Sequence, residues 1–279
     1  MENHELLLEE HEFNLSDFAL FLSVMKNPRA YQCALSIILA EPDIELVEVK
    51  VEQVVLNKVG KRAIRLDAWA RSKDQRQFNM EMQNDSKSDD LRKRSRYYQS
   101  MIDTPILKSG KETRYKHLPS TVIIFITQDD IFGKNLAKYT FKECCKEVEN
   151  LELEDGTTKI FLNMTSKNGS QELISLLQYM KDTRIENPNI IVKDSRILEL
   201  DEIVQEVKSS EEWEAVKMNI LEIGIERGTR IGIEKGERQK LTTQVEKKLK
   251  KGCTVEEMAD MLEESVESIR SIIETIQKK

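Results

Sequence analysis

Hydrophobic and polar positions change period several times along the chain, and each period predicts a different element. Apolar residues from Leu15 to about Ala40 recur at helical spacing around Asn27-Pro28, which predicts two helices or one kinked helix. A strand is expected near residues 44–56, followed by a β-hairpin at residues 62–84. The apolar run TVIIFIT, residues 121–127, is typical of a strand buried on both faces.

The pattern continues in the same way up to about residue 185. It predicts a helix from about Lys87 to Ile102, strands in KYTFK and TKIFLNM, and a covering helix at residues 171–182. Alternating strands and helices indicate an α/β domain, which we place at residues 1–186.

Polar side chains of the hairpin fall on one face in a definite register. With the turn centred on Asp74, residues whose numbers sum to 148 face each other, so Asp67 lies opposite Glu81. Cross-strand partners have Cβ atoms roughly 5 Å apart, and two carboxylates at that distance repel each other unless a cation lies between them. Mg²⁺ or Mn²⁺ meets this need, and Gln83 points the same way as Glu81 and could hold a water or phosphate oxygen.

A solvated outer face of the sheet is the alternative interpretation of these acids. Trp69 lies on the same face and argues against full exposure. The next segment supplies cations, because residues 85–116 contain nine Lys and Arg against five Asp and Glu. Its candidate phosphate-binding residues are Arg92, Lys93, Arg94 and Arg96, with Tyr97 and Tyr98 available to stack on a base or sugar. A solvated helix face is the alternative here too.

The C-terminal third is almost continuous charged helix. Glycine recurs every fourth residue from Gly224 to Gly236, and each costs helix stability, so residues 187–251 predict a self-association or hinge helix or else a flexible charged linker. Residues 252–279 begin with a capping box from Thr254 to Glu257 and predict a helical hairpin resembling a helix-turn-helix. Its second helix carries acidic side chains, so oligomer contacts are favoured over DNA reading.

Composition narrows the classes of function. The net charge of −7 argues against coating nucleic acid by bulk electrostatics, so any phosphate binding is local. Four cysteines without a CxxC pair and three histidines leave no zinc set. The N-terminus lacks the pattern of a secretory signal, and no segment approaches the roughly 20 apolar residues that span a bilayer. We expect a cytoplasmic protein without a membrane partner.

Several segments resemble one known family. IRLDAWARSKDQRQFNMEMQ, RSRYYQSMID and TVIIFIT, followed by DIFGKN and YTF, are similar to the recombination-promoting nuclease and transposase family (Rpn-type) of the PD-(D/E)xK nuclease superfamily. The resemblance covers most of residues 15–165, and the glycine-repeat helix is similar to C-terminal extensions in that family. It implies a restriction-endonuclease-like α/β core, a mixed central sheet flanked by helices, and Mg²⁺-dependent cleavage of DNA phosphodiesters in recombination or transposition.

The resemblance also implies roles for individual residues. Asp67 and Glu81 match the metal-binding acids, Gln83 matches the position where the superfamily usually has lysine, and Arg94 and Tyr98 match a basic-aromatic pair in the next helix. On this basis Asp67 and Glu81 hold one or two Mg²⁺ ions, Gln83 orients the attacking water, and Arg94 and its neighbours grip the DNA backbone.

Two departures and one short match qualify this assignment. Leu66 stands where the superfamily has proline, and Gln83 lacks the charge of lysine, although glutamine is usual in this particular family. Asp17, in NLSDFALF, resembles the acid that the superfamily often adds from its first helix.

Two other classes of function stay open at this stage. The first is a catalytically degenerate nuclease fold that acts as an oligomerisation module through its C-terminal helices. The second is a retaining glycosidase, which suits carboxylates about 5 Å apart but not the flanking cations.

Overall fold

The computed structural model describes residues 12–55, 63–85, 89–107 and 114–277, and it divides into two compact units, Met1–Glu214 and Ala215–Lys279. Leu56, Arg62 and Lys87, where the sequence predicts element ends, lie outside the described residues. The elements of the first unit are α1 (Phe18–Met25), α2 (Pro28–Leu39), β1 (Leu46–Val55), β2 (Ile64–Ser72), β3 (Gln77–Gln83), α3 (Leu91–Asp103), a short 3-10 helix (Tyr115–His117), β4 (Thr121–Thr127), β5 (Lys138–Phe141), β6 (Thr157–Asn163), α4 (Gln171–Lys181) and α5 (Ser195–Lys208).

The strands form one mixed sheet in the order β1-β2-β3-β4-β6-β5. β1, β2 and β3 are antiparallel, β3, β4 and β6 are parallel, and β5 returns antiparallel to β6. All seven residues of β4 are buried, as its uninterrupted apolar run predicts. The expected α/β core with a mixed sheet and flanking helices is confirmed.

Two helices form near the N-terminus because Asn27 and Pro28 separate them. The Asn27 side chain accepts a hydrogen bond from Arg29 N–H and caps α2, while proline occupies its first turn. Tyr31 on α2 is fully buried and donates its hydroxyl to the carbonyl of Ala68 on β2, at 3.2 Å. This helix therefore packs directly on the strand that carries Asp67.

The first unit extends past residue 186, where the sequence analysis ends the domain, to Glu214. α5 packs against α2 with an apolar side whose buried members are Ile197, Leu200, Ile203 and Val204. Trp213 is 3% exposed and meets the ring of Phe13 edge-on at 5.2 Å between centroids. Charged residues dominate the composition of this segment, so composition alone does not reveal that its apolar side chains are buried in the first unit.

The second unit is helical. α6 (Glu211–Leu249) continues through the glycine repeat, so the flexible-linker interpretation is wrong. A Cβ on Gly224, Gly232 or Gly236 would meet nothing within 4 Å in the described part of the chain. α7 (Val255–Leu262) starts with the predicted capping box of Thr254 and Glu257. It pairs with α8 (Val266–Gln277) around a small core of Val245, Met258, Ala259, Ile269 and Ile272.

No helix within the described ranges is long and apolar enough to cross a membrane.

Candidate active site

The predicted hairpin register is correct, and the backbone pairing of β2 with β3 ends just before the two acids. Backbone pairing runs from Arg71↔Gln77 to Ala68↔Met80. At the next position the carboxylates replace backbone acceptors: Asp67 N–H donates to Glu81 Oε1 at 3.0 Å, and Met82 N–H donates to Asp67 Oδ2 at 3.1 Å. The two acids therefore converge where the strands separate, each oriented by a backbone amide of the other strand.

These acids are buried, which overturns the interpretation of a solvated face. Asp67 is 7% exposed and Glu81 is fully buried, and Trp69 on the same face is 8% exposed. The cause is α3, whose Tyr98 lies 6.2 Å from the ring of Phe125 and closes this face of the sheet. The polar face of the hairpin is thus an interior surface.

Burial sets the electrostatics of the pair. Loss of solvent raises the pKa of Asp67 to about 6, against the opposing effects of the Met82 amide and Arg94. Burial also raises the pKa of Glu81, and the neighbouring charge of Asp67 raises it further. Two carboxylates in this position are costly to ionise together unless a cation compensates them.

Arg94 already supplies one cation to this site. Its Nη2 donates to Glu81 Oε2 at 3.0 Å and its Nη1 donates to Gln83 Oε1 at 2.9 Å. The guanidinium also donates to the Tyr98 hydroxyl and lies 4.9 Å above the Tyr98 ring. The sequence-predicted residues Glu81, Gln83, Arg94 and Tyr98 are thus in one hydrogen-bonded group.

The donor set fits a hard divalent cation. Asp67 and Glu81 supply two carboxylates that meet across neighbouring strands, and Mg²⁺ is commonly bound by one or two carboxylates together with waters and substrate phosphates. Among the residues that the structure describes, no group of three or more His, Cys, Asp or Glu side chains could hold a metal. Asp17 does not join the pair. Its Oδ2 instead accepts a hydrogen bond from Asn14 N–H at 2.8 Å, just before α1.

A cleft of about 920 Å³ lies over Asp67. One wall is β2 with the residue before it, and the other wall is α3 with the two residues before it. The lining residues are Ala63, Ile64, Arg65, Asp67, Asp89, Asp90, Lys93, Arg94, Tyr97 and Tyr98. The basic run of α3 is therefore divided: Lys93 and Arg94 line the cleft, whereas Arg92 does not and Arg96 is exposed.

Two polar residues near the acids received no role from the sequence. Asn79 is fully buried and its Nδ2 donates to Glu81 Oε1 at 2.9 Å. Arg65 lines the cleft and forms an ion pair with Glu52 at 3.2 Å. Asn79 is two residues before Glu81, and Arg65 is two residues before Asp67. Side chains two apart on a strand point to the same face, so strand alternation could have identified both as neighbours of the acids. Glu52 has no such signal in the sequence.

A mixed sheet whose antiparallel hairpin opens at two buried carboxylates, beside a cleft lined by basic, acidic and tyrosine side chains, defines a restriction-endonuclease-like α/β fold of the nuclease class. The family model for the PD-(D/E)XK nuclease family transposase matches residues 17–219, and the chain belongs to that family. No curated protein and no solved structure matches the chain. Family membership supports a nuclease-type function.

Proposed function

We propose that this protein is a metal-dependent endonuclease that hydrolyses DNA phosphodiester bonds, in the service of recombination or transposition. The observation that carries the proposal is the convergence of two buried acids, Asp67 and Glu81, where Asp67 lines a cleft that also carries Arg65, Lys93 and Arg94. A retaining glycosidase would need a sugar platform in the same place, and the guanidinium at the acids suits phosphate better.

Asp67 and Glu81 would hold Mg²⁺ or Mn²⁺. A bound ion would supply a water of lowered pKa and would stabilise charge on the scissile phosphate. Gln83, whose Oε1 accepts a hydrogen bond from Arg94, would orient the attacking water beside the two acids. Asn79 holds Glu81 in place through its hydrogen bond to Oε1.

Different basic side chains of the site bind different phosphates of the DNA backbone. Lys93 and Arg65 line the cleft and meet the phosphate that enters it. Arg92 and Arg96, on the outer side of α3, contact flanking phosphates, and Tyr98 orients Arg94 beside the acids. These contacts recognise the backbone rather than the base sequence.

Nicking of supercoiled plasmid by the full-length protein tests the proposal. We expect nicks with Mg²⁺, none with EDTA, and a loss of at least about 100-fold in Asp67→Ala, because the variant keeps only one of the two carboxylates proposed to hold the ion. Asp43→Ala, at an exposed position away from the cleft, is the matched control. Mg²⁺-dependent nicking that persists in Asp67→Ala would contradict the assignment.

A second role, assembly through the C-terminal helices, is favoured by α6. This helix exposes Met218, Ile223 and Ile233, which are 55%, 44% and 56% exposed. We propose that α6 joins copies of the chain into a homo-oligomer. Light scattering should show a smaller species for Ile233→Glu than for Gln239→Glu, a control at an exposed position about 120° round the same helix. Equal masses for both variants and the wild type would contradict this role.

A further inference from the structure

The cleft restricts what can reach the acids. Glu81 is fully buried and Asp67 is 7% exposed, so a scissile phosphate has to descend between β2 and α3. The cleft volume of about 920 Å³ lies in the range, roughly 300–1,000 Å³, of sites that enclose one small ligand. A few nucleotides of one strand fit a space of this volume.

The helical wall offers an aromatic ring to the cleft. Adjacent tyrosines of α3 differ in their environments: Tyr98 is 6% exposed and bonded to Arg94, whereas Tyr97 is 37% exposed and lines the cleft. An exposed ring beside a nucleic-acid strand is a platform on which a base can stack.

The strand wall offers a second flat surface. The guanidinium of Arg65 lies 5.6 Å over the ring of Phe18, and Glu52 holds it from the side at 3.2 Å. Phe18 itself is 36% exposed at the start of α1. A guanidinium that is fixed by a ring and an ion pair can stack on a base as well as attract phosphate.

We propose that the cleft takes an unpaired strand of DNA, with one base stacked on Tyr97 and another against the Arg65–Phe18 pair. The phosphate between these bases would lie at Asp67 and Glu81. This inference rests on the proposed nuclease function and names its substrate class, DNA that contains a single-stranded segment. Bases inside a duplex are already stacked on their neighbours, so neither wall could reach their faces without unstacking them.

Fluorescence anisotropy tests the strand preference in EDTA, where the proposed cleavage cannot occur. The probe is a short labelled oligonucleotide, used alone and annealed to its complement, with the full-length protein. We expect the single strand to bind about tenfold more tightly than the duplex, and Tyr97→Leu to weaken single-strand binding by about 5- to 100-fold. Tyr97→Phe keeps the ring and should bind as the wild type does. Tyr115→Leu, at a position that is 84% exposed and outside the cleft, is the matched control.

A fluorescent base analogue reports stacking directly. 2-Aminopurine in the single strand should be quenched by the wild type and by Tyr97→Phe but not by Tyr97→Leu. Equal affinity for single strand and duplex, or equal behaviour of Tyr97→Leu and Tyr115→Leu, would overturn the inference.

Plasmid nicking separates this inference from the proposed function. Nicking without a strand preference overturns only the single-strand cleft. A strand preference with the expected effect of Tyr97→Leu, but without cleavage of either the plasmid or the labelled single strand in Mg²⁺, supports the cleft and removes the catalytic role.

Discussion

Replacing Asp67 with asparagine should stabilise the metal-free protein, although it removes a proposed ligand. The Asp67 carboxylate lies beside a fully buried glutamate, and its Oδ2 accepts a hydrogen bond from Met82 N–H. Asparagine keeps an oxygen for that bond and removes the negative charge. The substitution therefore relieves repulsion without opening a cavity.

The pKa of Asp67 determines how much stability the Asp67→Asn substitution gains and at which pH it gains it. Burial raises this pKa from 3.8 to about 6, and a pKa difference of one corresponds to about 1.4 kcal/mol of stability. A carboxylate whose folded pKa lies above its unfolded value destabilises the fold as pH rises through the interval between them. The penalty is therefore absent below about pH 4, grows to about pH 6 and is constant above it. Asp67→Asn should gain up to about 3 kcal/mol at about pH 8 and nothing at about pH 4.

Thermal unfolding by circular dichroism in EDTA measures this gain. For a unit of this size, about 1 kcal/mol corresponds to roughly 2–4 °C, so Asp67→Asn should unfold up to about 6–12 °C above the wild type at about pH 8. Asp43→Asn, at an exposed position, should change stability by less than about 0.5 kcal/mol. Adding Mg²⁺ should stabilise the wild type more than Asp67→Asn, because only the wild type keeps both carboxylates. An Asp67→Asn protein that is no more stable than the wild type in EDTA, or whose gain is equal at the two pH values, would refute the reasoning.

Three further substitutions probe the surroundings of the acids and the extent of the first unit. Arg94→Met should destabilise the metal-free protein by about 2–3 kcal/mol in urea unfolding, since it leaves the buried Glu81 without its cation. Asn79→Leu should weaken Mg²⁺ binding about 10- to 100-fold by calorimetry, since it removes the hydrogen bond that orients Glu81. Trp213→Ala should destabilise the first unit by about 3–5 kcal/mol in urea unfolding, because its ring packs on Phe13.

Each of these three predictions has an outcome that would contradict it, and Arg94→Met also has a matched control. Arg96→Met removes an exposed charge from the same helix, so an equal loss of stability would show that Arg94 does not act on the pair. Calorimetric affinity unchanged in Asn79→Leu would mean that Asn79 does not position Glu81. Trp213→Ala unfolding like the wild type would place the end of the first unit nearer residue 186.

Local chemistry in the sequence was enough to determine the elements and the hairpin. Strand alternation and the turn at Asp74 determined the register that pairs Ala68 with Met80, because a slip of one residue would exchange the two faces. The uninterrupted run at residues 121–127 identified the buried central strand, and the Thr254–Glu257 box marked a helix start. These signals depend only on neighbours within a few residues.

Contacts between segments that are distant in the sequence decided the burial and the pKa values of the two acids. The sequence places Asp67 and Glu81 on one face, but only the packing of α3 across that face removes water from them and raises their pKa values. The same packing turns Arg94 inward onto Glu81 and leaves Arg96 outside, a division that charge counting along one helix cannot predict. Desolvation and ion pairing depend on which surfaces meet in three dimensions, so this part of the site required the tertiary structure.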